Sequence, residues 1–182
     1  MITFEQIKKD IKEGRLEFFG SSELFNNYNP TTLNEIIAIT IQEYAEHICD
    51  KYNITYDDQS FRTSGSDLNL SEVLKDHVET TGFYIDFYGP EDTRIMIEIG
   101  LPDFNEYESF EEYVKDIQTR FIENAILYLK DFDADSEFDE IYQPNPYIGP
   151  SELIEYLKID EGYFKILAKK LEVEYKQLKN VL

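Results

Sequence analysis

The feature that most constrains the fold is one stretch of strand periodicity, residues 83–100, in a chain whose other periodic segments are helical. It reads FYIDFYGPEDTRIMIEIG, with the turn at residues 89–92. Before the turn, Ile85 and Phe87 alternate with Tyr84, Asp86 and Tyr88, and after it Ile95, Ile97 and Ile99 alternate with Met96 and Glu98. Alternation with a period of two predicts a half-buried β-hairpin. Because an isolated hairpin is only marginally stable in water, a helix or a further strand must cover it.

Capping boxes predict where three helices begin, since in each a Ser or Thr is followed three residues later by Glu or Gln. They start at Thr3, Thr32 and Ser109. The first helix is expected to end at Gly14. The other two carry apolar side chains at helical spacing, which predicts amphipathic helices over residues 32–52 and 109–130.

These elements predict an α+β fold: a small antiparallel sheet, with its hairpin near residues 83–100, covered by long amphipathic helices. Residues 53–70 are polar and rich in turn-forming types, so no strand is predicted there. Composition agrees with a folded chain, because 42% of the residues are hydrophobic and 15% are aromatic.

Prolines divide the chain into two predicted parts. They are Pro144, Pro146 and Pro150. Before them, residues 1–146 form an acidic α+β domain. After them, residues 147–182 are expected to form two helices, about 151–158 and 161–180, which pack as a C-terminal α-hairpin on the same core.

The charge of the chain is strongly negative and unevenly placed. The 17 Lys and Arg residues against 38 Asp and Glu residues give a net charge of −21. Residues 101–145 alone hold 13 acids and 3 bases, which is about half of the net charge in a quarter of the chain. Such a surface repels nucleic acid and anionic membranes and attracts basic proteins. We therefore expect a basic protein partner and no membrane partner.

Two groups of acidic residues form the predicted partner-binding surface. The first lies on the helix over residues 109–130, and the second in an acidic loop, KDFDADSEFDEIYQPNP, at residues 130–146. The predicted partner-binding residues are Glu111, Glu112, Asp116, Asp131, Asp133, Asp135, Glu137, Asp139 and Glu140. Aromatic side chains between these acids, such as Phe132 and Phe138, either anchor the partner or hold the loop against the core.

The same loop opens like a calcium site. Asp131, Asp133 and Asp135 have the spacing of the first ligands of an EF-hand. The positions of its Gly and of its bidentate Glu hold Ser136 and Tyr142 instead, so the turn and the strongest ligand are missing. A solvated acidic loop is the preferred interpretation, with a weak cation site as the alternative.

No motif in the chain identifies a reaction. Asp86 and Glu98 resemble the paired carboxylates of restriction-type nucleases, but Gly100 stands where those enzymes have Lys. Two histidines and the single cysteine, Cys49, are too few for most zinc sites, and one cysteine forms no internal disulfide. We expect no catalytic residue, metal or cofactor, and a cytoplasmic protein without a membrane-spanning helix.

The C-terminal segment suggests a different activity. YFKILAKKLEVEYKQLKNVL resembles the helix-turn-helix pattern of phage-type repressors, although Glu172 stands where the turn usually has Gly. Residues 161–182 are also net positive, with 3 acids and 5 bases. The resemblance implies a DNA-reading helix over residues 174–181, which would bind DNA weakly through Lys176, Gln177, Lys179 and Asn180.

In size, charge, single cysteine, acidic stretch and possible helix-turn-helix, the chain resembles the small acidic inhibitors of phages and mobile elements. These are anti-CRISPR proteins that block Cas9, and antirestriction proteins that mimic DNA. The resemblance implies a non-enzymatic inhibitor that binds a Cas9–guide complex, or a restriction enzyme, and hinders target DNA binding or cleavage. An immunity protein or antitoxin against a basic toxin nuclease is a second interpretation, and a DNA-binding regulator is a third.

Overall fold

The order of elements follows from a computed structural model that describes residues 3–15, 33–54, 61–63, 82–90, 93–100, 102–142 and 147–180. Along the chain lie α1 (Phe4–Lys12), α2 (Leu33–Tyr52), β1 (Phe61–Thr63), β2 (Gly82–Tyr88), β3 (Arg94–Gly100), a 3-10 turn (Phe104–Glu106), α3 (Phe110–Asp131), α4 (Ala134–Ile141) and α5 (Pro150–Asn180). The predicted α+β class is confirmed, because helices pack on a small antiparallel sheet.

Helix starts agree with the capping boxes where the structure describes them. The Thr3 hydroxyl accepts a hydrogen bond from the Gln6 amide at 3.2 Å, and the Ser109 hydroxyl accepts one from the Glu112 amide at 3.1 Å. Gly14, at a φ of +67°, follows α1 in the left-handed conformation that glycine adopts without strain. The box at Thr32 lies outside the described residues, but α2 begins at the next residue.

The sheet contains the predicted hairpin and one strand that the sequence analysis missed. The strand order is β1-β2-β3, antiparallel throughout, and the register of the hairpin pairs Phe87 with Ile95 and Ile85 with Ile97. Phe87 and Ile97 are fully buried, so this face of the hairpin packs into the core. β1 is too short to show alternation in the sequence, and its pairing with β2 is what makes it a strand.

One main core joins α2, the hairpin and α3 to α4 and α5. Phe121 of α3 stacks on Phe87 of the sheet with ring centroids 6.0 Å apart. Phe132, after α3, meets Phe164 of α5 edge-to-face at 5.0 Å. A second cluster joins α1 to the beginnings of α2 and α3. Because α5 shares the main core with the sheet, the C-terminal segment is held to the rest of the molecule along much of its length.

The predicted C-terminal α-hairpin is wrong, because residues 150–180 form one continuous helix of 31 residues. Its buried side chains recur every three or four residues without interruption, so a single stripe faces the core. They are Leu157, Asp160, Phe164, Leu167, Ala168 and Leu171. Among the described residues, no helix, α5 included, is long and apolar enough to cross a membrane.

Asp160 fixes the hairpin turn to α5. Its side chain is fully buried in the middle of that helix. The Thr93 hydroxyl donates a hydrogen bond to its carboxylate, and the Gly89 amide donates one to the Thr93 carbonyl at 2.6 Å. A buried carboxylate needs such donors, because leaving it unsatisfied costs several kcal/mol, roughly 1–3 for each missing bond. The turn and the helix therefore stabilise each other.

Candidate protein-binding surface

The acidic segment is a helix and not the predicted loop. Asp133 caps α4, its carboxylate accepting a hydrogen bond from the Asp135 amide at 3.0 Å. Ala134 is buried and Phe138 is half-buried against the main core, so the inner side of this short helix is apolar. The sequence analysis missed it because acids at every second position conceal an apolar pair at helical spacing.

The outer side of this segment carries the negative charge. Five exposed carboxylates form what we call the acidic face: Asp131, Asp133, Asp135, Asp139 and Glu140. Among these five, only Asp135 forms an ion pair in the described part of the chain, with Lys158 at 3.8 Å, and both side chains are more than half exposed. A pair so exposed contributes little, typically less than ~1 kcal/mol, so the face stays largely uncompensated.

Glu137 differs from the other acids of α4, because it is half-buried. Burial raises the pKa of its carboxyl above the usual value, and the charge of Glu140 raises it further. It therefore lies between the acidic face and the core, beside the apolar groove described below.

The acids predicted at the start of α3 do not belong to the acidic face. Glu111 and Asp131 are 20 residues apart on one helix, which is ~30 Å along its axis. Asp116 is already bound within the chain, since it accepts hydrogen bonds from the Tyr107 hydroxyl at 2.6 Å and from Arg120 Nε at 2.7 Å. The predicted single surface is thus two separate ones.

Around Asp116 lies a polar cleft of about 650 Å³. It is lined by Gly100, Tyr107, Glu112, Asp116, Thr119, Arg120, Glu123, Asn124 and Lys179. Burial, and then the hydrogen bond to Asp116, raise the pKa of Tyr107 to about 12, which keeps the phenol protonated as a donor. The Asp116 carboxylate is thereby engaged by both Tyr107 and Arg120, which makes this network structural.

A second depression, which we call the apolar groove, lies next to the acidic face. Its volume is about 400 Å³. It is lined by Ile95, Met96, Leu127, Tyr128, Asp131, Phe132 and Glu137. Tyr128, at the end of α3, is half exposed (50%). In the sequence, only Met96 indicated an apolar patch here. The strand alternation places Met96 on the face opposite Ile95 and Ile97, where polar residues are usual.

Both phenylalanines of the acidic segment, Phe132 and Phe138, pack against the main core. Phe132 is 6% exposed and packs in the core, so it does not anchor a partner as an exposed side chain. Phe138 is half-buried and stacks on Tyr142, with ring centroids 4.9 Å apart.

The predicted DNA-binding residues lie at the C-terminal end of α5. The helix continues before them without the break that a helix-turn-helix motif requires. Glu172, expected in that turn, is inside the helix and forms an ion pair with Lys130, while Glu174 pairs with Lys51. Lys176, Gln177, Lys179 and Asn180 lie on this end of the helix. Because residues 163–180 belong to one uninterrupted helix, the two helices of the motif are not formed and the helix-turn-helix interpretation is wrong.

The metal and nuclease interpretations concern side chains that the structure describes only in part. Within the described ranges, no three His, Cys, Asp or Glu side chains are placed to hold a metal ion together. The hairpin register puts Asp86 opposite Met96 and Glu98 opposite Tyr84, while the side chains of Asp86 and Glu98 lie outside the described set. Compared with protein-family models, curated proteins and solved structures, the chain matches none.

Proposed function

We propose that this protein is a non-enzymatic inhibitor whose acidic face binds the basic nucleic-acid-binding surface of an effector enzyme. The Cas9–guide complex is the first candidate. Binding there hinders the attachment or the cleavage of target DNA. The observation that carries the proposal is the acidic face, five exposed carboxylates of which one, Asp135, forms a solvent-exposed ion pair with Lys158.

Electrostatics explains why such a face suits a DNA-binding partner. Duplex DNA presents one negative charge per ~1.7 Å of its axis, and enzymes that bind it line their clefts with Lys and Arg. Asp135 and Asp139 lie one helical turn apart on α4, with Asp131 and Asp133 immediately before them. A partner cleft built for phosphates would meet a row of carboxylates in their place. Repulsion among these carboxylates is relieved when the basic cleft binds.

The test is a gel shift of guide-loaded Cas9 on its target DNA, with this protein titrated in at low and at moderate salt. We expect loss of the shifted band, and a higher protein concentration needed at moderate salt because screening weakens the attraction. A parallel cleavage assay detects inhibition after DNA binding. If no Cas9 orthologue is inhibited in either assay, the choice of Cas9 is wrong, and basic toxin nucleases and restriction enzymes are tested next.

A neutralised variant tests the acidic face itself. It carries Asp131→Asn, Asp133→Asn, Asp135→Asn, Asp139→Asn and Glu140→Gln, and the helix keeps its cap because asparagine is as good an N-cap as aspartate. We expect its inhibitory potency to fall at least tenfold. The matched control also removes five exposed carboxylates, but from other surfaces: Glu5, Glu106, Glu108, Glu111 and Glu155, each to Gln. Equal losses in both variants would show that net charge acts and not this face.

A further inference from the structure

The apolar groove is placed to receive a side chain from outside. It lies beside β3, which is an edge strand in the order β1-β2-β3, and is closed on its other side by the end of α3 and the start of α4. Ile95 and Phe132 form its buried floor, 9% and 6% exposed. The groove of about 400 Å³ is large enough for one or two apolar side chains.

Its walls expose apolar surface that packing within the chain leaves uncovered. Met96, Leu127 and Tyr128 are 52%, 53% and 50% exposed, and all three border the same depression. Single exposed apolar side chains are ordinary on protein surfaces, whereas several around one concavity are typical of an interaction site.

The charge at the rim of the groove is negative, which favours a positively charged partner segment. Asp131 and Glu137 stand at its edge, and no Lys or Arg is among the described side chains that line it. Lys130, the nearest cation along α3, is engaged in an ion pair with Glu172 of α5. The remaining acids of the acidic face follow within the next residues of the chain.

We infer that the apolar groove binds an apolar side chain that is flanked by Lys or Arg in a segment of the partner protein. The inference rests on the proposed function and adds its anchor. Charge alone speeds association with the partner and gives an affinity that falls as salt rises. A desolvated apolar side chain contributes most of the binding free energy.

Other occupants fit the groove less well. A second copy of this chain carries the same acidic rim and a net charge of −21, so two copies repel each other at this surface. An anionic membrane is repelled for the same reason. A basic partner segment satisfies both the apolar floor and the acidic rim.

The chain contains two methionines, Met1 and Met96, which makes a direct test available. Protein labelled with ¹³C in the methionine methyl groups gives one NMR signal from Met96 in the groove and one from Met1. The probe is an eight-residue peptide with a Leu-Phe pair between two Lys-Arg-Lys runs. We expect a saturable shift of the Met96 signal as the peptide is added. In a control peptide two Ser replace Leu-Phe, and we expect at least tenfold weaker binding.

A variant confirms the location. Leu127→Ser removes one exposed wall of the groove and should weaken binding of the Leu-Phe peptide at least tenfold. Ile166→Ser is the matched control, because Ile166 is 57% exposed on α5 and does not line the groove. Equal binding of the two peptides, or a Met96 signal that does not move when the peptide binds, would overturn the inference.

The outcome separates this inference from the proposed function. If Leu127→Ser weakens peptide binding while no nucleic-acid enzyme is inhibited, the groove is a binding site and the inhibitor proposal fails. If the protein inhibits Cas9 through its acidic face and Leu127→Ser inhibits equally well, the inhibitor proposal stands and the groove inference fails.

Discussion

Glu43 is the single residue whose burial has the clearest consequence for stability. It lies in the middle of α2, is 5% exposed, and neither of its carboxylate oxygens accepts a hydrogen bond in the part of the chain that the structure describes. Burial, with a smaller contribution from the charge of Glu46, raises the pKa of Glu43 to about 8. The folded protein therefore favours the neutral acid, because a buried carboxylate without donors is costly.

This burial predicts a loss of stability as pH rises. In the unfolded chain Glu43 titrates near its ordinary pKa of 4.5, so between that pH and about 8 the folded state binds more protons than the unfolded state. Stability is then highest below pH 4.5 for this group and falls through the window, by ~2–4 kcal/mol at pH 8. Urea unfolding of wild type and Glu43→Gln at pH 5 and pH 8 measures it. We expect the variant to lose less stability than wild type, while the exposed control Glu111→Gln matches wild type.

Gly89 is a position at which the fold leaves no room for a side chain. A Cβ atom at this position would lie 2.5 Å from Asp160 Oδ1 and 2.7 Å from its Cγ. Because Asp160 is buried and holds the Thr93 hydroxyl, it has little room to move. We expect Gly89→Ala to lower the free energy of unfolding by about 1–3 kcal/mol, measured by urea unfolding. Gly100→Ala is the control, since a Cβ there meets nothing within 4 Å, and equal losses at both positions would contradict the steric explanation.

At the scale of elements, helices were predicted well where their signals are local. Thr3 and Ser109 cap the helices that their sequences predict, and the hairpin follows its alternating pattern. One strand and one α-helix were missed. β1 has three residues and exists through pairing with β2, while α4 is concealed by its acids and exists because Ala134 and Phe138 pack on the core.

α5 shows the opposite error, since one helix was divided into two. Gly162 is exposed near its middle, and a Cβ there would meet nothing within 4 Å. In a continuous helix, Gly162→Ala should raise the free energy of unfolding by ~0.5–1 kcal/mol, because alanine loses less backbone entropy. Thermal unfolding of the variant measures this.

Gly149→Ala is the control for α5, because Gly149 is the N-cap residue, where alanine is less favourable than glycine, and this variant should therefore gain no stability. If the chain turned near residues 159–161, Gly162 would not be a helix-interior position and Gly162→Ala would gain little. No gain, or a loss, at Gly162 would therefore contradict the single helix.

At the scale of the whole molecule, the net charge of −21 acts against the folded state. Folding brings the carboxylates together, and their repulsion is screened by salt, since the Debye length falls from ~30 Å at 0.01 M to ~8 Å at 0.15 M. We expect Tm to rise by roughly 2–5 °C over that range, from a gain of ~1–2 kcal/mol. Differential scanning calorimetry in NaCl measures it.

The neutralised acidic-face variant should show a smaller rise in Tm, because it lacks five of the repelling charges. A Tm that does not depend on salt in wild type would mean that the charges lie too far apart in the fold to interact. Partner binding is expected to respond in the opposite direction, weakening as salt rises.

The sequence by itself determined the α+β class, the hairpin, the starts of the main helices and the excess of acid between residues 101 and 145. The acid excess is read directly from composition. The other features follow from helix caps and hydrophobic periodicities, which are set by residues only a few positions apart. Only the tertiary structure decided that α5 is one helix, that the acidic segment forms α4, and that Met96 and Leu127 border one groove. Met96 and Leu127 are 31 positions apart in the chain, and the packing of α3 against β3 brings them together. No local pattern records such a contact, because the free energy that creates it comes from burial between distant segments.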